Sequence, residues 1–160
     1  MRKSKNMAKR IVIRTLQWRE SDLKQILEIE NASFNPYDAY TREDFFRFFS
    51  QNPDLCLVAE IDSQIAGDLI ARKIVNYLDL VSFAIHPSFR RMGVGSELLH
   101  EIIQKCKLYD LSRIELEVRK SNAAGLSFWR KMGFLNTGVI ESFYEDGEDA
   151  MKMCRQIINE

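Results

Sequence analysis

The spacing of hydrophobic residues along the chain alternates between two periods, which predicts a sheet interrupted by helices. Ile11–Leu16 is apolar at every second position and predicts a first strand. Ser21 is expected to cap a helix that runs to about Asn31. An aromatic loop, "FNPYDAY" (Phe34–Tyr40), follows, and "TRED" (Thr41–Asp44) then has the pattern of a capping box that opens a second helix.

The middle of the chain returns to strand-like spacing. The runs "LCLVAEI" and "QIAGDLIARKI" predict a hairpin that turns at Asp62 and Ser63. Asp79–Ile85 is nearly all apolar, as expected of a central strand that is covered on both faces. From Gly93 onward, apolar residues recur four positions apart, which predicts a long helix with one buried face.

The last part of the chain repeats this alternation. Arg113–Arg119, "RIELEVR", has strict strand periodicity, and a helix is expected from about Asn122 to Met132. Two further strands, Phe134–Glu141 and Asp149–Gln156, flank a turn that contains Gly147. The predicted order is β-α-α-β-β-β-α-β-α-β-β, an α/β fold built around one mixed sheet.

Composition limits the class of protein. The chain has 160 residues, of which 46% are hydrophobic and 29% charged, which fits one globular domain. No run approaches the roughly 20 apolar residues of a membrane span. The three cysteines are widely spaced within apolar segments, so we expect reduced core thiols, no metal site and a cytoplasmic location. They are Cys56, Cys106 and Cys154.

The charge is unevenly distributed. Residues 1–10 carry five basic and no acidic side chains, so residues 11–160 carry a net charge of −5 within a chain whose total is zero. We therefore expect a basic tail over 1–10 and a single domain over 11–160. The tail is either a solvated terminus or a weak electrostatic contact for the ribosome or nucleic acid. The acidic body argues against a specific nucleic-acid ligand.

The strongest local motif is the glycine-containing stretch between the buried strand and the long helix. Backbone N–H groups at a helix N-terminus are unpaired and favour anions, and two glycines let a diphosphate approach them. Alone, the stretch could equally be a tight turn that packs a helix on a strand. It matches neither the Walker nor the dinucleotide-binding pattern. Its residues are Arg90, Arg91, Met92, Gly93, Val94, Gly95 and Ser96.

Three stretches taken together are more specific than this loop. "IHPSFRRMGVGSELLHEII", "LEVRKSNAAGLSFWRKMGF" and "FYEDGEDAMKM" occur in this order. They resemble the Gcn5-related N-acetyltransferases (GNAT), and within them the RimI-like and archaeal protein N-terminal acetyltransferases, over about Ile11 to Ile157. The resemblance implies one mixed, mostly antiparallel sheet with a splayed central strand pair, flanked by about four helices. It also implies acetyl-CoA as co-substrate.

The resemblance assigns roles in cofactor binding. Arg91 to Ser96 match the pyrophosphate loop, with Arg90 beside it, and Asn122 matches the residue that hydrogen-bonds the cofactor arm. The backbone of the splayed strand would hold the acetyl and pantetheine groups, through Phe83, Ala84 and Ile85.

The resemblance also implies catalytic residues. Glu117 matches the general base, although it could be only a solvated carboxylate, and Glu115 points the same way. Tyr144 matches an aromatic residue that lines the peptide groove. Trp129 stands where the family usually has a tyrosine that assists the departing thiolate. Because an indole N–H donates but does not titrate in this range, Trp129 could solvate the sulfur or could simply be a core residue.

The aromatic loop matches the segment that closes over the first residue of the substrate. Phe34, Tyr37 and Tyr40 are candidates to contact the substrate there. The alternative for Phe34 and Tyr37 is that they only fill the core. The leading hypothesis is acetyl transfer from acetyl-CoA to the α-amine of protein or peptide N-termini, without a covalent enzyme intermediate, by a monomer or homodimer. The alternatives are an acetyltransferase for a small amine or a lysine side chain, and a non-catalytic module that binds acetyl-CoA or CoA.

Overall fold

The computed structural model describes residues 9–158, and its element order matches the predicted one. Two short 3-10 helices, Pro53–Leu55 and Pro87–Phe89, precede β2 and α3. The remaining elements are β1 (Val12–Thr15), α1 (Glu20–Ser33), α2 (Arg42–Gln51), β2 (Cys56–Ile61), β3 (Gln64–Ile74), β4 (Tyr77–Ile85), α3 (Val94–Leu108), β5 (Arg113–Arg119), α4 (Ala123–Lys131), β6 (Leu135–Ile140) and β7 (Ala150–Gln156).

The seven strands form one sheet in the order β1-β2-β3-β4-β5-β7-β6. Every neighbouring pair is antiparallel except β4 and β5, which are parallel. These two strands pair only at Leu78 with Ile114 and at Asp79 with Glu115. Beyond Asp79 they separate, which confirms the expected splayed central strand pair.

A bulge in β4 decides which side chains face which layer. Ile70 of β3 pairs with Ser82, whereas the next residue, Ala71, pairs with Leu80, so Val81 is an extra residue in β4. As a result, Leu80 packs in the core under α3, and both Ser82 and Ala84 face the opposite layer. This switch explains why the segment reads as continuously apolar.

Two hydrophobic cores lie on opposite faces of the sheet. The first contains the buried faces of α3 and α4, with Leu98, Ile102 and Leu126 fully or nearly fully covered. The second contains α1 and α2, with Ile26 and Phe45 at its centre. The wedge between β4 and β5 therefore opens between two layers that are each held rigid by their own core.

The predicted capping box is present, but the predicted cap of the first helix is wrong. The Thr41 side chain accepts the Asp44 N–H, and the Asp44 carboxylate accepts the Thr41 N–H. Ser21, in contrast, lies inside α1, which begins at Glu20 without a side-chain cap. The buried Asp22 carboxylate accepts the Gln17 N–H at 3.0 Å, which draws the chain into the helix earlier than the serine predicts.

Several expectations from composition can also be compared with the structure. All three cysteines are buried and unpaired in the described chain, as predicted. No group of three or more His, Cys, Asp or Glu side chains within residues 9–158 is arranged to hold a metal ion. In the same range, no helix is both long and apolar enough to span a membrane. Of the basic tail, residues 1–8 lie outside the described chain, and Lys9 forms an exposed ion pair with Asp62 at 3.6 Å.

Candidate active site

The glycine-containing loop forms the N-terminal end of α3. Arg91 and Gly93 both have left-handed backbone conformations, with φ of 62° and 83°, and α3 starts at Val94. The first main-chain hydrogen bond of the helix joins the Glu97 N–H to the Gly93 carbonyl at 3.1 Å. The N–H groups of the turn before Glu97 therefore have no acceptor within the helix, and they are suited to a diphosphate.

The two glycines of this loop are required for different reasons. A Cβ on Gly93 would meet no atom within 4 Å, so what favours glycine there is the left-handed backbone. A Cβ on Gly95 would lie 2.9 Å from Cζ of Phe83 and 3.2 Å from Cζ of Phe128. Gly95 thus lets the start of α3 pack against aromatic rings, a reason that the sequence alone did not suggest.

The arginines of the loop are placed differently from each other. Arg90 donates from Nε to the carbonyl of Ile85 at 3.2 Å, which ties the loop to the end of β4. Arg91 and Met92 are exposed. Arg91 is therefore free to meet an anion, while Arg90 also has a structural contact.

The predicted acetyl-binding strand has an open edge. Phe83 and Ala84 pair with Leu69 and Asp68 of β3 on one side. On the other side, β5 pairs with β4 only as far as Asp79 within the described residues. Backbone groups of β4 beyond that point therefore have no partner from β5, and their contact with a thioester carbonyl stays a prediction.

Glu117 and Glu115 lie on the same face of β5 but have different surroundings. Glu115 accepts a hydrogen bond from Nε of Arg113 at 2.9 Å and lies 3.8 Å from Nζ of Lys152. Glu117 has no hydrogen-bond or ion-pair partner in residues 9–158. Burial, followed by the negative charge of Asp79, raises the pKa of Glu117 above its ordinary value.

These surroundings favour Glu117 as the base. A half-buried, unpaired carboxylate whose pKa is raised is a stronger base than an ordinary glutamate. Glu115 is already neutralised by two cations.

Tyr144 lies in the β6–β7 hairpin near Glu117. Burial raises the pKa of its phenol to about 12, and the charge of Glu117 adds to this rise. The hydroxyl therefore stays protonated at neutral pH and can donate a hydrogen bond. This geometry is compatible with the predicted place of Tyr144 in the substrate groove.

Trp129 belongs to an aromatic cluster. Its ring centroid lies 4.8 Å from that of Phe83, 4.9 Å from Phe128 and 5.0 Å from Phe134. Only 6% of the residue is exposed. The cluster accounts for Trp129 as a core residue that supports the acetyl-binding strand through Phe83, and its role toward the cofactor sulfur stays a prediction.

Asn122 caps α4. Its Oδ1 accepts the Gly125 N–H at 2.9 Å. A Cβ on Gly125 would lie 2.5 Å from Nδ2 of Asn122, so the cap also requires this glycine. The cap uses the amide oxygen, so the NH₂ group of this exposed residue remains a donor, as the predicted contact with the cofactor arm needs.

The three aromatic candidates of the α1–α2 loop differ in exposure. Tyr37 is 73% exposed, whereas Phe34 packs against the second core. Tyr40 lies edge-on to Phe45 and Phe48, at centroid distances of 6.0 and 5.4 Å. The core-filling alternative therefore fits Phe34 but not Tyr37, which is open to a partner, and Tyr40 also packs against the second core.

Two buried carboxylates were missed as functional candidates. Glu30 on α1 accepts the Tyr40 N–H at 3.0 Å and the Ser82 hydroxyl at 3.2 Å, so it joins the α1–α2 loop to β4. Asp68 on β3 is fully buried, and neither carboxylate oxygen has a hydrogen-bond partner in the described chain. An acidic residue within the apolar pattern, as in "IAGDLIA", was the available signal.

Comparisons with known proteins show the family of this chain. Residues 23–134 match the model of the Acetyltransferase (GNAT) family. A Bacillus subtilis (strain 168) protein, provisionally named as the [ribosomal protein bS18]-alanine N-acetyltransferase, is 31% identical over 137 residues, with 84% of this chain and 89% of that protein covered. An N-alpha-acetyltransferase of Sulfurisphaera tokodaii is 28% identical over 149 residues, covering 85% and 88% of the two chains.

A solved structure extends the similarity to the fold. The crystal structure of Ard1 from Thermoplasma volcanium superimposes with a TM-score of 0.86 at 26% identity, covering 93% of this chain and 99% of that chain. The splayed strands, the glycine loop at α3 and the matching family model lead to one conclusion. This chain belongs to the GNAT family of acetyltransferases, and acetyl-CoA is its acetyl donor.

Proposed function

We propose that this acetyltransferase acts on the α-amino group of protein or peptide N-termini. Two of its relatives are named for this class of reaction. The observation that carries the proposal is Glu117, a half-buried and unpaired carboxylate with a raised pKa beside the open edge of β4. An α-amine has a pKa of about 7.7–8.0, against about 10.4 for lysine, so a base of this modest strength suits an N-terminus.

The reaction follows from the positions of these groups. Glu117 removes a proton from the α-ammonium, directly or through water, and the neutral amine attacks the thioester carbonyl. Backbone N–H groups along the open edge of β4 stabilise the oxyanion that forms. The C–S bond then breaks, and the CoA thiolate leaves with the electron pair. The nitrogen of the new amide loses its second proton, which passes to the thiolate directly or through water. No bond to the enzyme forms at any step.

Substrate choice and the role of Glu117 can be tested together. The wild-type enzyme should acetylate peptides with a free α-amine and should act poorly on peptides that are blocked at the N-terminus but contain lysine. Acetylation of a peptide library with varied first and second residues, measured by mass, would also reveal the preferred termini. Faster acetylation of blocked lysine peptides, or of small amines, would contradict the proposal, and CoA binding without turnover would indicate a binding module.

Glu117→Gln should lower the turnover of α-amine peptides by about 10²–10⁴-fold. Glu115→Gln is the matched control on the same strand face and should change turnover by no more than a few-fold. The acid limb of kcat/KM in the wild type should lie above the ordinary pKa of glutamate, because burial raises the pKa of Glu117. The Glu117→Gln variant should lose this limb. A variant with wild-type turnover would exclude Glu117 as the base.

A further inference from the structure

Arg119 is the last residue of β5 and lies on the same strand face as Glu117, two residues further along the chain. Its side chain is only 16% exposed, although it carries a charge. The guanidinium contacts the two segments that border the predicted peptide cleft, the α1–α2 loop (34–40) and the β6–β7 hairpin (141–149).

The contact with the α1–α2 loop is bidentate. Nε of Arg119 donates to Oδ2 of Asp38 at 2.6 Å, and Nη2 donates to Oδ1 at 2.8 Å. Asp38 is itself fixed within the loop, because Oδ1 of Asn35 accepts the backbone N–H groups of Tyr37 and Asp38, both at 3.0 Å. The guanidinium therefore holds the loop segment that carries the exposed Tyr37.

The contact with the β6–β7 hairpin uses Nη1 and one flat face of the same guanidinium. Nη1 of Arg119 donates to Oδ2 of Asp146 at 2.9 Å and to Oε2 of Glu148 at 2.7 Å. The guanidinium carbon lies 4.1 Å from the ring centroid of Tyr144, which stacks it against the aromatic residue predicted to line the groove. A single side chain thus reaches both sides of the cleft.

We propose that Arg119 is a positioning residue that holds the α1–α2 loop and the β6–β7 hairpin at a fixed separation, and so sets the width of the cleft through which an N-terminus reaches Glu117. The proposal rests on the proposed function for the identity of the substrate. Only arginine offers a planar group with five donors that can serve three carboxylates and a ring at once. Lysine keeps the charge but cannot reproduce this geometry.

The charge balance indicates what happens without the guanidinium. Arg119 is surrounded by three carboxylates, those of Asp38, Asp146 and Glu148. Hydrogen bonds from Ser121, followed by that from Arg119, lower the pKa of Glu148 to about 2, so this carboxylate is charged at neutral pH. Without the guanidinium, the carboxylate of Asp38 on one side of the cleft would face those of Asp146 and Glu148 on the other. Their mutual repulsion would move the two sides apart.

Arg119→Lys is the first test. We expect the KM for an α-amine peptide to rise about 10-fold or more, because positions set by charge-assisted hydrogen bonds are lost. The KM for acetyl-CoA should stay within about two-fold, because the Arg119 side chain donates to Asp38, Asp146 and Glu148 and to no residue of the loop at Arg91–Ser96. Equal effects on both substrates, or on neither, would overturn the proposal.

Arg113→Lys is a matched control. Arg113 begins the same strand, donates to Glu115 at 2.9 Å and stacks on Tyr77 at 4.4 Å, but it contacts neither side of the cleft. Its replacement should leave both KM values within about two-fold. Asp38→Asn, which weakens only the link to the α1–α2 loop, should raise the peptide KM without changing the acetyl-CoA KM.

A distance measurement tests the positioning role independently of the substrate class. Spin labels on Tyr37→Cys and Glu145→Cys would report the separation of the two exposed segments by pulsed electron resonance, since the native cysteines are buried. Arg119→Lys should broaden and lengthen the distance distribution, and Arg113→Lys should not. An unchanged distribution would overturn the proposal even if the enzyme acetylates N-termini. A broadened one with no acetylation of any α-amine would refute only the proposed function.

Discussion

Replacing Glu30 by glutamine tests how much stability is lost by burying a carboxylate between the α1–α2 loop and β4. Glu30 is only 1% exposed, and its two oxygens accept hydrogen bonds from the Tyr40 N–H and the Ser82 hydroxyl. Burial raises the pKa of Glu30 to about 7, and the nearby Asp44 charge adds to the rise, although the two hydrogen bonds oppose it. Asp68, from β3, is a second buried carboxyl group whose pKa is raised by burial and by Glu30.

The size of the effect follows from the shift. A rise from 4.5 to about 7, at about 1.4 kcal/mol per pKa unit, corresponds to about 3 kcal/mol. Because the pKa is raised in the folded state, this stability is fully present below the unfolded value of 4.5 and is lost as the pH rises through about 7. The amide oxygen of glutamine can accept the Tyr40 N–H, and its NH₂ group can donate to the Ser82 hydroxyl oxygen. Because glutamine cannot ionise, Glu30→Gln should be the more stable protein at pH 8.

The measurement is urea unfolding between pH 5 and pH 8, followed by the fluorescence of Trp18 and Trp129. The wild type should lose about 2.5 kcal/mol more unfolding free energy over this range than Glu30→Gln does, because part of the effect is already lost at pH 5. Asp68 is present in both proteins, but without the Glu30 charge its pKa is raised less. The variant should therefore lose still less unfolding free energy with rising pH than the wild type does. Glu28→Gln, an exposed change on the same helix, should keep the wild-type pH dependence. The same pH dependence in wild type and Glu30→Gln would refute the argument.

Two further substitutions test the aromatic cluster next to the cofactor loop. Gly95→Ala places a methyl group 2.9 Å from the Phe83 ring, so it should cost about 1–3 kcal/mol of stability and weaken acetyl-CoA binding. Thermal unfolding and calorimetry would measure the two effects. Unchanged stability and unchanged affinity would contradict the packing role. Trp129→Phe should lower the melting temperature while turnover per folded molecule stays within a few-fold, because the indole packs against Phe83 and Phe134. If folded Trp129→Phe instead loses more than about 10-fold in turnover, and Trp129→Tyr does not, the side chain assists the leaving thiolate.

The order of elements could be predicted from the sequence because it depends on local periodicity. The alternation of "RIELEVR" predicted β5 and the capping box at Thr41 predicted α2, and both are confirmed. Ser21 failed as a cap because a residue further along the chain, Asp22, forms the competing hydrogen bonds. The β4 bulge had no local signature, since Leu80, Val81 and Ser82 fit a regular strand equally well.

The candidate site was predictable only in part. Motifs identified the glycine loop and Glu117, but they could not tell that Glu115 is paired and Glu117 is not. Part of that difference is local, because Arg113 of the same strand donates to Glu115, and part depends on Lys152, which comes from a later strand. The pairing of Arg119 with Asp38 joins residues 81 positions apart, and that of Glu30 with Ser82 joins residues 52 apart. Such contacts exist only once the sheet has brought α1, β4 and β5 together.

The contacts of Arg119 with Asp38 and of Glu30 with Ser82 involve residues of β5 and β4 that come after the point where these strands separate. Splaying the strands exposes backbone groups of β4 for the thioester, but it also removes the ladder that would otherwise hold the two halves of the sheet in register. Glu30 links β4 to the α1–α2 loop, and Arg119 links β5 to the same loop and to the β6–β7 hairpin. Side-chain contacts through the α1–α2 loop therefore replace the missing main-chain pairing around the wedge. Because both links end on this loop, a change in either one should alter peptide binding before it alters the cofactor loop at α3.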